Sequence, residues 1–240
     1  MRIAIITIFA LLAAASVQAK TLVVYYSYTN NVERIVDALR TKIDADILEI
    51  EPAQKGLDYA ADNYAIGSAQ IAAIRNNPDE AASYPAIDPV NVNLSDYDCI
   101  IVGAPLWWSN MAAPLQTFLF QYGKEMAGKK IGLIVSSASS GISGVEADAK
   151  RLIPGGDFLS PSLWIRSSQT TNAGTMLDNW LKDINYDSLT SGISHVSTDH
   201  NERYTVYTLS GVRLLSEVSS TARLSAGIYI INGKKTIISK

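Results

Sequence analysis

Residues 27–31, Ser-Tyr-Thr-Asn-Asn, place two hydroxyls and two amides between a short apolar run (residues 22–26) and a helical pattern that begins at once. In that pattern Val32, Ile35, Val36, Leu39 and Ile43 form one apolar stripe. A strand, a tight polar loop and a helix N-terminus bring N–H groups and hydroxyls together where the helix dipole is positive, and the natural guest is a phosphate. The same residue types also cap ordinary helices, so this loop alone leaves capping and anion binding both open. Two further segments bear on the choice. Pro105, Leu106, Trp107 and Trp108 follow an apolar run at residues 98–104, and their paired indoles offer a flat apolar platform with N–H donors. Ser136, Ser137, Ala138, Ser139, Gly141, Ser143 and Gly144 follow another apolar run, and residues this small let backbone come close to a ligand. An anion loop, an aromatic platform and a small polar loop on one rim suit a phosphorylated planar cofactor.

For these segments to meet, the elements before them must lie side by side. Residues 47–50, 98–104, 130–136 and 158–166 read as further strands, and residues 112–122, 144–152 and 172–184 as helices. Residues 57–77 read as an alanine-rich helical insertion closed by Asn76-Asn77-Pro78. Strands that are apolar throughout, alternating with helices, predict a parallel sheet covered on both faces, with ligands at the carboxyl ends of the strands. The fold class expected is α/β, a doubly wound five-stranded sheet.

Composition sets the other bounds. The 240 residues, 48% hydrophobic, suffice for one core and an appendage. The single Cys99 has no internal disulfide partner and sits in an apolar run, which predicts a buried, inert thiol. One Cys and two His without ligand spacing point to no metal site, and His195 and His200 are given no catalytic role. Residues 20–197 carry 13 Lys and Arg against 20 Asp and Glu, whereas residues 198–240 carry 6 against 3. No basic stripe with interleaved aromatics occurs, so nucleic acid is a poor partner. Arg2, the apolar run at residues 3–15 and the small residues up to Ala19 have the layout of an export signal, with cleavage expected after Ala19. A periplasmic or secreted location and no membrane span after its removal are therefore expected.

The order YYSYTNNVERI, DYDCIIVGAPLWWSNMAAPLQTFL and GLIVSSASSGISG resembles the flavodoxin family, specifically its NAD(P)H-oxidoreductase-like branch containing PxWW. The resemblance spans residues 20–185. It implies a flavodoxin-like sheet of strand order 2-1-3-4-5 and non-covalent FMN. By matching positions, it implies that Ser27, Thr29, Asn30, Asn31 and Val32 hold the phosphate, with Tyr28 beside them. Residues 105–108 would line one side of the flavin and residues 136–144 the other edge. Two positions depart from the usual S-x-T-G-N-T loop: Asn30 stands at the glycine and Val32 at the last hydroxyl residue. Asn tolerates left-handed backbone, so the turn can survive, while Val32 keeps its N–H and loses a hydroxyl donor. Since adjacent rings can hardly face one way, one of Trp107 and Trp108 is expected to be structural and the other to face the flavin. Tyr28 is expected to cover the helix start, and Met111 to pack.

Residues 186–199 read as a polar linker. Residues 200–240 change to strand periodicity, with a hairpin signal at Asn232-Gly233, and predict a small antiparallel module. Its phrases VYTLSGVRL and LSAGIYIINGKK resemble the short C-terminal β domains of secreted Bacteroidetes proteins, some of which are sorting signals; a packed accessory domain is the alternative. The function expected is an exported flavin oxidoreductase that takes electrons from a reduced nicotinamide or another donor and passes them to a quinone-like or protein acceptor. The alternatives are a non-enzymatic electron carrier and a flavodoxin-shaped binding module without cofactor.

Overall fold

The computed structural model describes residues 19–190, 204–209, 211–218, 224–231 and 234–238. Residues 1–18 of the segment read as an export signal, most of the segment read as a linker and both histidines lie outside the described residues. The chain divides into two compact units, one of which spans Ala19–Ser191.

In this unit, β1 (Thr21–Tyr25), β2 (Asp46–Glu49), β3 (Cys99–Trp107) and β5 (Lys130–Ser137) run parallel in the order β2-β1-β3-β5. The outer position beyond β5 is shared by β6 (Asp157–Phe158) and β7 (Leu163–Arg166), both parallel to it. Residues 158–166, read from the sequence as one strand, are thus two short pieces joined by a detour through Pro161, which lacks a ladder donor. A two-residue strand, β4 (Asn110–Met111), folds back antiparallel on the end of β3. With that small hairpin and the split outer strand taken into account, the sheet has the expected flavodoxin-like 2-1-3-4-5 order.

Alternation along β1 shows how the layers form. Val23 and Tyr25 face α1 (Asn31–Arg40) and α5 (Ala173–Asp183), and Leu22 and Val24 face the opposite layer. That layer holds α2 (Ala61–Asn76), α3 (Ala113–Tyr122) and α4 (Ser143–Leu152). Cys99 is buried and its thiol is pushed up to about 11 by desolvation, as an inert core thiol should be. Among the described residues no helix is long and apolar enough to cross a membrane.

One boundary differs from the sequence reading. Residues Tyr186–Thr190, assigned there to the linker, form α6, and the Tyr186 hydroxyl lies 2.8 Å from the Thr21 hydroxyl in the core. The polar composition that suggested a linker is that of a short surface helix tethered by one buried aromatic.

The second unit contains β8 (Tyr204–Thr208), β9 (Arg213–Val218), β10 (Gly227–Ile231) and β11 (Lys234–Ile238), an antiparallel sheet in the order β11-β10-β8-β9. Ile231 pairs with Lys234, the register expected of a two-residue hairpin, and Val206, Leu224 and Ile231 form its small core.

Candidate functional site

The carboxyl ends of β1, β3 and β5 open onto one cavity of about 370 Å³. Ser27, Tyr28, Thr29, Asn31 and Val32 line it from the first loop, Pro105, Leu106, Trp107 and Trp108 from the second, and Ser136, Ser137 and Ala138 from the third. Asn30, Ser139, Gly141, Ser143 and Gly144 are not among its lining residues. Four residues that sequence reasoning missed complete it: Tyr59, Tyr64, Gly67 and Ser167. The lining contains no charged side chain.

The first loop is built around a left-handed residue. Asn30, at φ 59° and ψ 8°, takes the conformation that glycine would supply, with its carbonyl accepting the Arg34 N–H at 3.1 Å. Its own side chain makes no cap. The Ser27 hydroxyl instead accepts the Glu33 N–H at 3.2 Å, and Asn31 Nδ2 donates to Thr29 Oγ1 at 3.0 Å. Capping is therefore done by Ser27 from across the loop, and the first turn of α1 points at the cavity with its dipole positive. Val32 is 1% exposed. Its methyl groups lie where a Cβ on Gly103 would meet them at 3.1 Å, so it replaces a hydroxyl donor with close packing of α1 onto β3.

The aromatic wall is a cluster. Trp107 lies 4.8 Å from Tyr59, 5.7 Å from Tyr26, 6.5 Å from Tyr28 and 6.3 Å from Trp108, ring centroid to centroid, mostly edge to face. Tyr28, expected from the sequence to cover the helix start, lines the cavity. Its hydroxyl donates to Asp58 at 3.0 Å and accepts the Ala60 N–H at 3.0 Å, which ties the first loop to the segment leading into α2. Asp58 is held below its ordinary range by the Ala60 N–H and by the Tyr28 hydroxyl. Burial pushes the Tyr59 phenol up.

Trp108 is 40% exposed at the tip of the β3–β4 hairpin, and Tyr64 is 53% exposed. Both belong to left-handed turns without glycine: Trp108 and Ser109 at φ 46° and 64°, and Asp62, Asn63 and Tyr64 at φ 47°, 55° and 64°. Each such residue costs about 1–2 kcal/mol and persists where its surroundings over-determine it. Met111, by contrast, is buried in the core.

The third loop places Ser136 in the cavity wall, and among the described residues its buried hydroxyl has no hydrogen-bond partner. Its neighbour Ser137 is satisfied, accepting from the Trp164 indole and donating to the Ser140 carbonyl, each at 2.8 Å. An unpartnered hydroxyl in a residue that lines an uncharged cavity calls for an explanation, and a polar ligand edge beside it would supply one. The set fits a phosphorylated planar group: a helix N-terminus with hydroxyls at one end, indoles along one side and small hydroxyl residues opposite.

The profile of the family described as Flavodoxin matches residues 20–184. Among solved structures, a putative flavoprotein from Bacteroides eggerthii is 24% identical, with a TM-score of 0.56 over 70% of this chain and 98% of its own. A flavoprotein from Lactobacillus acidophilus, solved in complex with FMN, is 22% identical, with a TM-score of 0.51 over 65% of this chain and 99% of its own. A putative flavoprotein from Bacteroides uniformis is 24% identical, with a TM-score of 0.52 over 67% of this chain and 99% of its own. At these identities the likeness is one of fold, and the family profile carries the assignment. The chain belongs to the flavodoxin family.

Proposed function

We propose that this protein is an exported FMN-dependent oxidoreductase of the NAD(P)H-oxidoreductase-like branch. It takes electrons from a reduced nicotinamide or another donor and passes them to a quinone-like or protein acceptor. The observation that carries the reading is the one cavity shared by the three loops, uncharged in its lining and walled by Trp107 and Trp108. FMN, when bound, supplies the hydride and electron chemistry. The chain's own residues bind and orient it: Ser27, Thr29, Asn31 and the first N–H groups of α1 at the phosphate, Trp107 and Trp108 along the ring, Ser136 and Ser137 at its polar edge. None of the residues lining the cavity is Asp, Glu, His, Lys, Arg or Cys, and the role assigned to its side chains is to position and shield the ring. The aromatic wall excludes water from the ring and holds it for transfer at the open rim by Trp108 and Tyr64. Support for the branch comes from the Pro105–Trp108 motif, and support for export from the composition of residues 1–19.

Purification of the mature chain and absorbance in the flavin bands, followed by NAD(P)H consumption with a small quinone, tests this reading. Stoichiometric flavin with turnover is the expected result. Flavin without turnover would favour a non-enzymatic electron carrier, which the acidic balance of residues 20–197 would suit. A protein that binds no FMN would make the cavity a flavodoxin-shaped module without cofactor.

A further inference from the structure

The Trp107–Trp108 wall stands on a turn that its own strands hardly hold. β4 contributes two register pairs, Leu106 with Met111 and Trp107 with Asn110, and the two residues between are both left-handed and neither is glycine. What fixes the turn comes from outside the hairpin. Arg75, in the last turn of α2, donates from one guanidinium nitrogen to the Trp108 carbonyl and from Nε to Asn110 Oδ1 at 2.6 Å. Asn110 passes the connection inward, its Nδ2 donating at 2.8 Å to Asp148 Oδ2, which also accepts the Met111 N–H at 2.9 Å. Asp148 is buried on α4 and faces Arg151 at 3.4 Å. Among the described residues Arg75 has no carboxylate within ion-pair distance, so its charge is directed at the hairpin.

The same helix also meets the ring. A Cβ on Gly67 would lie 3.0 Å from the far edge of the Trp108 indole and 3.4 Å from Trp107. α2 therefore holds Trp108 at two points eight residues apart, the ring against Gly67 and the carbonyl under Arg75. A left-handed backbone relaxes when its outer contacts go.

We propose that Arg75 is a positioning residue for the tryptophan wall: from outside the cavity it sets where the Trp108 indole lies, and through it the affinity and potential of the bound flavin. This rests on the reading of the cavity as an FMN site. Arg75 is exposed, so its removal frees the turn without opening the core.

The test uses the full chain as wild type, Arg75→Gln, Arg75→Lys and, as a control on an exposed ion pair whose partners are Glu51 and Asp88, Lys55→Gln. FMN affinity is read by fluorescence titration, the flavin potential by potentiometry, and indole packing by near-ultraviolet circular dichroism without FMN. Arg75→Gln is expected to weaken FMN about tenfold, the scale of one charge-assisted hydrogen bond. It should also change the indole signal, with a thermal midpoint close to wild type. Arg75→Lys is expected to recover part of both, since one ammonium can serve only one acceptor well, and Lys55→Gln to change neither. An unchanged indole signal in Arg75→Gln overturns the proposal, whether or not FMN affinity falls. If the wild type binds no FMN, the functional reading fails, and the indole signals of the same variants still decide the role of Arg75.

Discussion

The carbonyl oxygen of Ser109 sits 1.8 Å from where a Cβ on Gly144 would be. The tip of the tryptophan hairpin therefore rests directly on the first turn of α4, and only glycine leaves room for it. The sequence suggests Gly144 as a residue approaching the cofactor; in the fold it supports the wall that would touch the cofactor.

Gly144→Ala should accordingly displace backbone rather than a flexible side chain. A loss of about 1–3 kcal/mol, the usual range for overpacking, is expected in chemical unfolding. A parallel loss of FMN affinity should accompany it, because Trp108 moves with Ser109. Wild-type stability and affinity in this variant would mean that the hairpin shifts freely.

The two tryptophans should respond differently to substitution. Trp107 is half-buried among four aromatic rings, so Trp107→Ala should chiefly lower stability, by about 2–3 kcal/mol, somewhat less than a fully buried Trp. Trp108 is exposed and leans on Gly67, so Trp108→Ala should leave the thermal midpoint nearly unchanged. It should loosen FMN and raise the flavin potential, because a stacked ring favours the neutral oxidised form and excludes water. Thermal unfolding and potentiometry on both variants check the split.

Thr29 is exposed, and its Oγ1 is an acceptor for Asn31 Nδ2, which leaves its own hydroxyl hydrogen free to point at an anion. Thr29→Ala should weaken FMN by roughly 1.5–3 kcal/mol, the worth of a hydrogen bond to a charged acceptor. Titration of the apoprotein measures it directly.

Acid should loosen the loop that Tyr28 ties down. The Asp58 carboxyl is depressed by the Ala60 N–H first and the Tyr28 hydroxyl second, so its ionised form is the one the fold prefers. A depressed carboxylate contributes above its unfolded value, ordinarily 3.8, and that contribution disappears as pH falls through the folded value below it. Flavin release on acidification should therefore contain a component below about pH 4 that is missing in Asp58→Asn, which has no proton to take up. Stopped-flow release of flavin fluorescence across that range compares the two.

Much of this architecture is legible in the chain itself because burial on both faces writes β1, β3 and β5 as unbroken apolar runs, and each ends in residues that no strand would choose. The three loops of the cavity follow from that. The remainder depends on tertiary contact. Arg75 reads as an ordinary charge near the end of an alanine-rich helix, and nothing local says that its guanidinium reaches the Trp108 carbonyl. Tyr59 and Tyr64 look like surface aromatics of an insertion until α2 folds over the cavity. The two-residue β4 is too short for any periodicity, and the outer strand loses its continuity at Pro161, where the ladder must break. Tyr186 shows the converse: a single aromatic in a polar stretch is enough to bring that stretch back onto the core.

The uncharged lining of the cavity has a consequence for how the protein would respond to its medium. A phosphate dianion held at an exposed site by Lys or Arg loses affinity as added salt screens the pair. Here the counterpart would be fixed dipoles, the first N–H groups of α1 and the Ser27 and Thr29 hydroxyls. Retention of the cofactor should then be nearly indifferent to ionic strength. That tolerance would suit a protein working outside the cell's regulated interior, where the salt around it is set by the surroundings.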